Sequence, residues 1–190
     1  MNSVAYLLPI CLLGAVIALA VCVSYFDLRE RRIPNKLLAA AMCFGFGVYA
    51  WAAEALGLAL VSRALLYSLM GMVIGAICLL PAYFARQMGA GDVKLLMVFG
   101  FLLGPIGAGL TLLTGALLGG AWALWLSCRT QGVRKAFANL GMMARSAYLT
   151  GFKELHWDLR SAGAVTMPYG VALSAGAILV ALWQLSLRLH

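Results

Sequence analysis

Residues 95–126 read LLMVFGFLLGPIGAGLTLLTGALLGGAWALWL, an apolar run without one charged side chain. A membrane-crossing helix needs about 20 such residues, so the run divides. Gly104-Pro105 is the natural break, because proline removes an amide donor and glycine loosens the helix. The first half is short for a span and is tolerated only if protein surrounds it. Working outward, further apolar segments lie at 4–26, 37–53, 64–85 and 164–185, beside the two halves at 95–104 and 106–126. The expected fold is all-α: a polytopic membrane helix bundle of about six transmembrane helices, with 1–190 forming a single domain.

Composition agrees. Of 190 residues, 64% are hydrophobic and 11% charged, with mean hydropathy +0.97, whereas soluble domains hold about 45–50% and about 25%. The formal net charge is +8, from 14 Lys/Arg against 6 Asp/Glu. In such a chain the excess reads as the basic bias of cytoplasmic loops and as affinity for the lipid bilayer, not as a nucleic-acid surface. Placing 27–36, 86–94 and 127–163 on one side collects 12 of the 14 basic residues and leaves Arg63 and Arg188 opposite. Both termini are then external. Five spans instead of six would bring the C-terminus inside.

Residues 128–160 are the one long polar stretch. Val133, Phe137, Leu140, Ala144, Tyr148, Phe152 and Leu155 recur at three- and four-residue steps, which predicts a cytoplasmic interfacial helix, or else a simple anchored loop. The five cysteines form no Cys-x-x-Cys pair, and His156 and His190 have no ligand-spaced partners. No metal, cofactor or disulfide framework is expected. The first apolar run lacks a basic leader of its own and reads as a retained helix.

Two of the six acids sit at the mouths of helices on the basic side. Asp27 ends the first apolar run, and Asp92 closes Gly89-Ala90-Gly91-Asp92. Asp92 alone would serve as a helix N-cap. Asp27 is harder to dismiss: a carboxylate at a helix C-terminus opposes the helix dipole, and acids at membrane depth are functional candidates. Gly89 and Gly91 permit positive φ and close approach by another backbone, or are ordinary loop punctuation.

The stretch Gly89-Ala90-Gly91-Asp92-Val93-Lys94-Leu95 resembles the GxGD-x-K-L signature of type IV prepilin peptidases. Asp27-Leu28-Arg29-Glu30-Arg31-Arg32-Ile33-Pro34-Asn35 is similar to that family's other motif, an aspartate, a basic stretch and I-P-N. Met167-Pro168-Tyr169-Gly170 resembles its Pro-Tyr/Phe-Gly element. The small size is similar to the Flp/tight-adherence branch. The resemblance implies a membrane aspartyl endopeptidase with Asp27 and Asp92 as catalytic pair. Gly89, Gly91, Lys94, Pro34, Asn35, Pro168, Tyr169 and Gly170 would bind substrate or shape the site. It implies prepilin or pseudopilin precursors as partners, cut at the cytoplasmic face of the bacterial inner membrane. The paired cysteines that accompany N-methyltransfer in larger members are absent, so methyltransfer is not expected. Two alternatives stay open: a GxGD protease that cuts transmembrane helices, and a non-enzymatic transporter or pilus-assembly subunit.

Overall fold

A computed structural model describes residues 2–84, 88–131 and 169–189, and every regular element in them is helical. These are α1 (Asn2–Glu30), α2 (Asn35–Leu56), α3 (Leu58–Phe84), α4 (Ala90–Gln131) and α5 (Tyr169–Leu189). All five are long and apolar enough to cross a bilayer, so the chain is a multi-pass helical membrane bundle. The 22 residues of α2 extend about 33 Å, against about 30 Å of hydrocarbon. Most of the expected interfacial helix, and Pro168, lie outside the described residues.

The junctions follow from local chemistry. Helix α1 stops at Arg31, whose φ of 50° lets its amide close back on the Asp27 carbonyl at 3.1 Å. Left-handed closure of this kind is the common helix stop, usually made by glycine. Pro34, with φ −65°, then caps α2, and its carbonyl accepts the Leu37 and Leu38 amides. One residue, Gly57 at φ 86°, joins α2 to α3.

Helix α4 is broken at Gly104, whose φ 78° and ψ 178° lie in a region essentially reserved for glycine. The break reverses the chain. Before it, Gly75 faces Leu96, Gly71 faces Gly100, and Gly104 faces Tyr67, so the arm 90–103 runs antiparallel to α3. After it, Gly107 faces Gln184 while Gly115 faces Leu173, so the second arm runs antiparallel to α5 and returns to the end it left. The expected division at Gly104-Pro105 is therefore a hairpin turn, and it lies within the bundle. Tyr67 is nine residues along α3, about 13 Å from that helix's start.

The first arm begins at Ala90, five residues earlier than its apolar run, and is still short of a full crossing at about 21 Å. Protein encloses it. Leu96, Phe99 and Phe101 have no exposed surface, although this was the shortest apolar segment in the sequence.

A turn at membrane depth frees backbone groups that lipid cannot satisfy. Gln184 of α5 meets one of them: its Nε2 donates to the Leu103 carbonyl at 3.2 Å. Gln184→Leu keeps the bulk and removes the donor. It should lower stability by about 1–3 kcal/mol, read as an earlier thermal unfolding midpoint in detergent, while Gln184→Glu with its acid protonated at low pH should recover part of the loss. An unchanged midpoint for the leucine variant would show that the carbonyl needs no partner.

Residues 119–131 continue α4 but belong to a second unit. Within it the Trp122 and Trp125 rings lie 5.4 Å apart, and the Arg129 guanidinium sits 4.9 Å over Trp125. This is the arrangement of an aromatic belt with a basic neighbour at a membrane interface.

Candidate active site

Asp27 faces inward near the end of α1 and is 7% exposed. Its conflict with the α1 dipole is resolved by another helix. The first turn of α5 points its free amides at the carboxylate: Val171 N–H donates to Oδ2 at 3.1 Å, and the Gly170 amide also bonds it. A helix N-terminus is an anion site by geometry and by dipole. The sequence sets Tyr169-Gly170 at that turn for a steric reason. A Cβ on Gly170 would lie 2.7 Å from Asp27 Oδ2 and 3.2 Å from the Ile33 side chain, so only glycine lets the carboxylate come this close.

Asp92 is half-buried in the first turn of α4. It is not the N-cap. Gly89 holds that position: its carbonyl accepts the Asp92 amide at 3.2 Å, and its own amide donates back to the Asp92 carboxylate. Reciprocal bonding between the cap and the third helical residue is the logic of a capping box. Neither Gly89 nor Gly91 takes a positive φ, because Gly91 is already helical. A Cβ on Gly91 would meet only the Ile33 side chain, at 3.6 Å, an ordinary contact. At this site, the position that demands glycine in the free protein is Gly170 rather than Gly91.

Ile33 ties the three sequence motifs together, since its side chain lies against both Gly91 and Gly170. The Asp27 and Asp92 carboxylates are within electrostatic range of each other, and Tyr169 is within range of Asp92. Lys94 donates through Nζ to Asn35 Oδ1 at 3.3 Å, linking the start of α4 to the start of α2. Pro34 acts through the backbone, as the cap of α2. Of the residues singled out by sequence, Asp27, Asp92, Gly89, Gly91, Lys94, Pro34, Asn35, Tyr169 and Gly170 thus gather at one end of the bundle. Ile33, Val171 and Gln184 were missed. Ile33 sits inside a quoted motif, and a lone glutamine in an apolar run is itself a signal. A backbone amide such as that of Val171 leaves none.

The two carboxylates thus lie within electrostatic range of each other at one end of the bundle, one bonded by the amides of α5 and the other in the first turn of α4.

No curated protein and no solved structure matches the chain. A profile described as the type IV leader peptidase family matches residues 11–124, a stretch that contains Asp27, Ile33-Pro34-Asn35 and Gly89 to Lys94 and stops before Tyr169. Because that match covers more than half of the chain, the protein belongs to the type IV leader peptidase family.

Proposed function

We propose that this protein is an aspartyl endopeptidase that removes the basic leader from type IV or Flp-type prepilin or pseudopilin precursors, at the cytoplasmic face of the bacterial inner membrane. The observation that carries the reading is the joining of Asp27 and Asp92 at one end of the bundle by α5 and Ile33. One carboxylate takes a proton from the attacking water. The other, protonated, donates to the scissile carbonyl, and the two exchange roles as the amine leaves. The chemistry uses no metal and no nucleophilic side chain. The basic residues Arg29, Arg31, Arg32, Lys36 and Lys94 cluster in sequence around the two acids, which supports a cytoplasmic site.

The test is conversion of a co-expressed precursor to its mature form in membranes, with the new N-terminus read by mass spectrometry. The variant to compare is Gly170→Ala. Its Cβ displaces Asp27 Oδ2 and breaks the Val171 bond without filling the core, so kcat should fall about tenfold or more at wild-type abundance. Full activity in Gly170→Ala would remove the α5 amides from the mechanism. Absence of any cleavage by the wild-type chain across candidate precursors would overturn the peptidase reading.

A further inference from the structure

The two acids differ in what surrounds them. Asp27 accepts two amides of α5, from Val171 at 3.1 Å and from Gly170. It also has a full cation in range, the Arg31 guanidinium. The backbone brings Arg31 there: at φ 50° it ends α1, with its amide on the Asp27 carbonyl. Asp92 accepts one amide, that of Gly89, and the ionisable groups in its range are Asp27 and Tyr169. Lys94 and Arg29 are engaged elsewhere, Lys94 with Asn35 and Arg29 with Tyr25. Helix ends act on both acids. At Asp27 the C-terminus of α1 and the N-terminus of α5 oppose each other, each with about half a charge, so the bonds and the cation decide. At Asp92 the N-terminus of α4 supplies about half a positive charge. Solvent weakens the field of the exposed Arg31, but the second amide remains.

We infer that Asp27 is the ionised acid and the general base, that Asp92 holds the proton and is the general acid, and that Arg31 is the positioning residue that fixes this order; the inference rests on the peptidase reading. Hydrogen bonds and an opposite charge favour the ionised form of a carboxyl, and a neighbouring anion favours the neutral form of the next one. With Asp27 ionised by its amides and Arg31, Asp92 faces an anion and keeps its proton. The order sets each step. The Asp27 carboxylate takes a proton from water as the water oxygen bonds the scissile carbon, and Asp92 gives its proton to the carbonyl oxygen. The tetrahedral adduct then returns that proton to Asp92 as the carbonyl re-forms. The C–N bond breaks, and the leaving nitrogen takes the proton held on Asp27. Both acids end as they began.

Arg31→Gly removes the cation and suits the backbone, since glycine takes φ 50° without strain. The measurement is kcat/KM for a cleaved precursor against pH, whose two limbs report the two proton losses of the pair. Arg31→Gly should move the acid limb to higher pH by up to about 1 unit and leave the alkaline limb in place. Arg31→Lys should bring the acid limb back. Arg32→Gln, which removes the adjacent exposed charge, should move neither limb. Movement of the alkaline limb alone in Arg31→Gly would mean that Asp27 is the acid, and a profile that does not move would remove Arg31 from the mechanism; either overturns the inference. Labelling gives a reading that needs no turnover, because an apolar carbodiimide attacks a protonated carboxyl and spares a carboxylate. In the wild-type protein in detergent at neutral pH, peptide mass spectrometry should find the adduct on Asp92, with Asp27 labelled only as the pH is lowered. An adduct on Asp27 at neutral pH would overturn the order. If the wild-type protein cleaves no precursor, the peptidase reading fails, while the labelling still decides which acid holds the proton.

Discussion

Asp27→Asn and Asp92→Asn should each stop precursor cleavage while leaving the protein at wild-type abundance. Both replacements are nearly isosteric and remove the ionisable group. The fold should survive the change at Asp27, because an asparagine oxygen can still accept the Val171 amide that now binds Oδ2. Catalysis should not survive, because general acid–base transfer contributes about 10²–10⁴-fold and neither partner can work alone. The double variant should therefore be no slower than either single one. Glu54→Gln, at an exposed position near the far end of α2, should process normally. The measurement is the ratio of precursor to mature product in membranes adjusted to equal amounts of each protein. A rate within a few-fold of wild type for either aspartate variant would sink the two-carboxylate mechanism and promote the transporter or assembly-subunit alternative.

Gly71→Val and Gly100→Val should abolish the folded protein altogether. A Cβ on Gly71 would stand 2.1 Å from the Gly100 carbonyl oxygen, and one on Gly100 would stand 2.2 Å from that of Gly71. Both obstacles are backbone, so no rotamer change relieves them. Gly75 is nearly as tight, with the Leu96 oxygen 2.6 Å from its Cβ position. Lipid supplies no hydrophobic force between helices, so close van der Waals contact at small residues holds such a pair together. Forcing the α3 and α4 backbones apart loses that contact along the whole seam and moves the arm that carries Asp92. The loss should exceed the usual overpacking range of about 1–3 kcal/mol. Gly14→Ala and Gly47→Ala are the controls, since no other side chain or distant backbone lies within 4 Å of either Cβ position. Abundance after detergent extraction and the thermal midpoint report the difference. A Gly71→Val protein as stable as the Gly14→Ala one would mean that the two helices do not cross at their glycines.

These positions also mark where sequence reading succeeded and where it stopped. The hairpin at Gly104-Pro105 was legible because its cause is local: a missing amide beside a residue free to take φ 78°. The start of α4 was placed late, because Gly89-Ala90-Gly91 has a loop's composition. Its helical state depends on bonds between Gly89 and Asp92 that composition does not encode. The spacing of Gly71 with Gly75, and of Gly100 with Gly104, was present in the sequence, but no rule said which faces would meet. Asp27 posed a question that its own neighbourhood could not answer. A carboxylate at the wrong end of a helix needs an outside donor, and the donor is 144 residues away in the chain.

That separation has a consequence during synthesis. Asp27 enters the membrane with α1, and Val171 is joined to the chain 144 residues later. At about 5–20 residues per second, the interval is about 7–30 s. Throughout it the carboxylate has no α5 amide to receive it. A ribosome-bound chain, or one truncated before Tyr169, therefore holds both acids but lacks the clamp that fixes one of them. Insertion of α5 is what sets Asp27 in place.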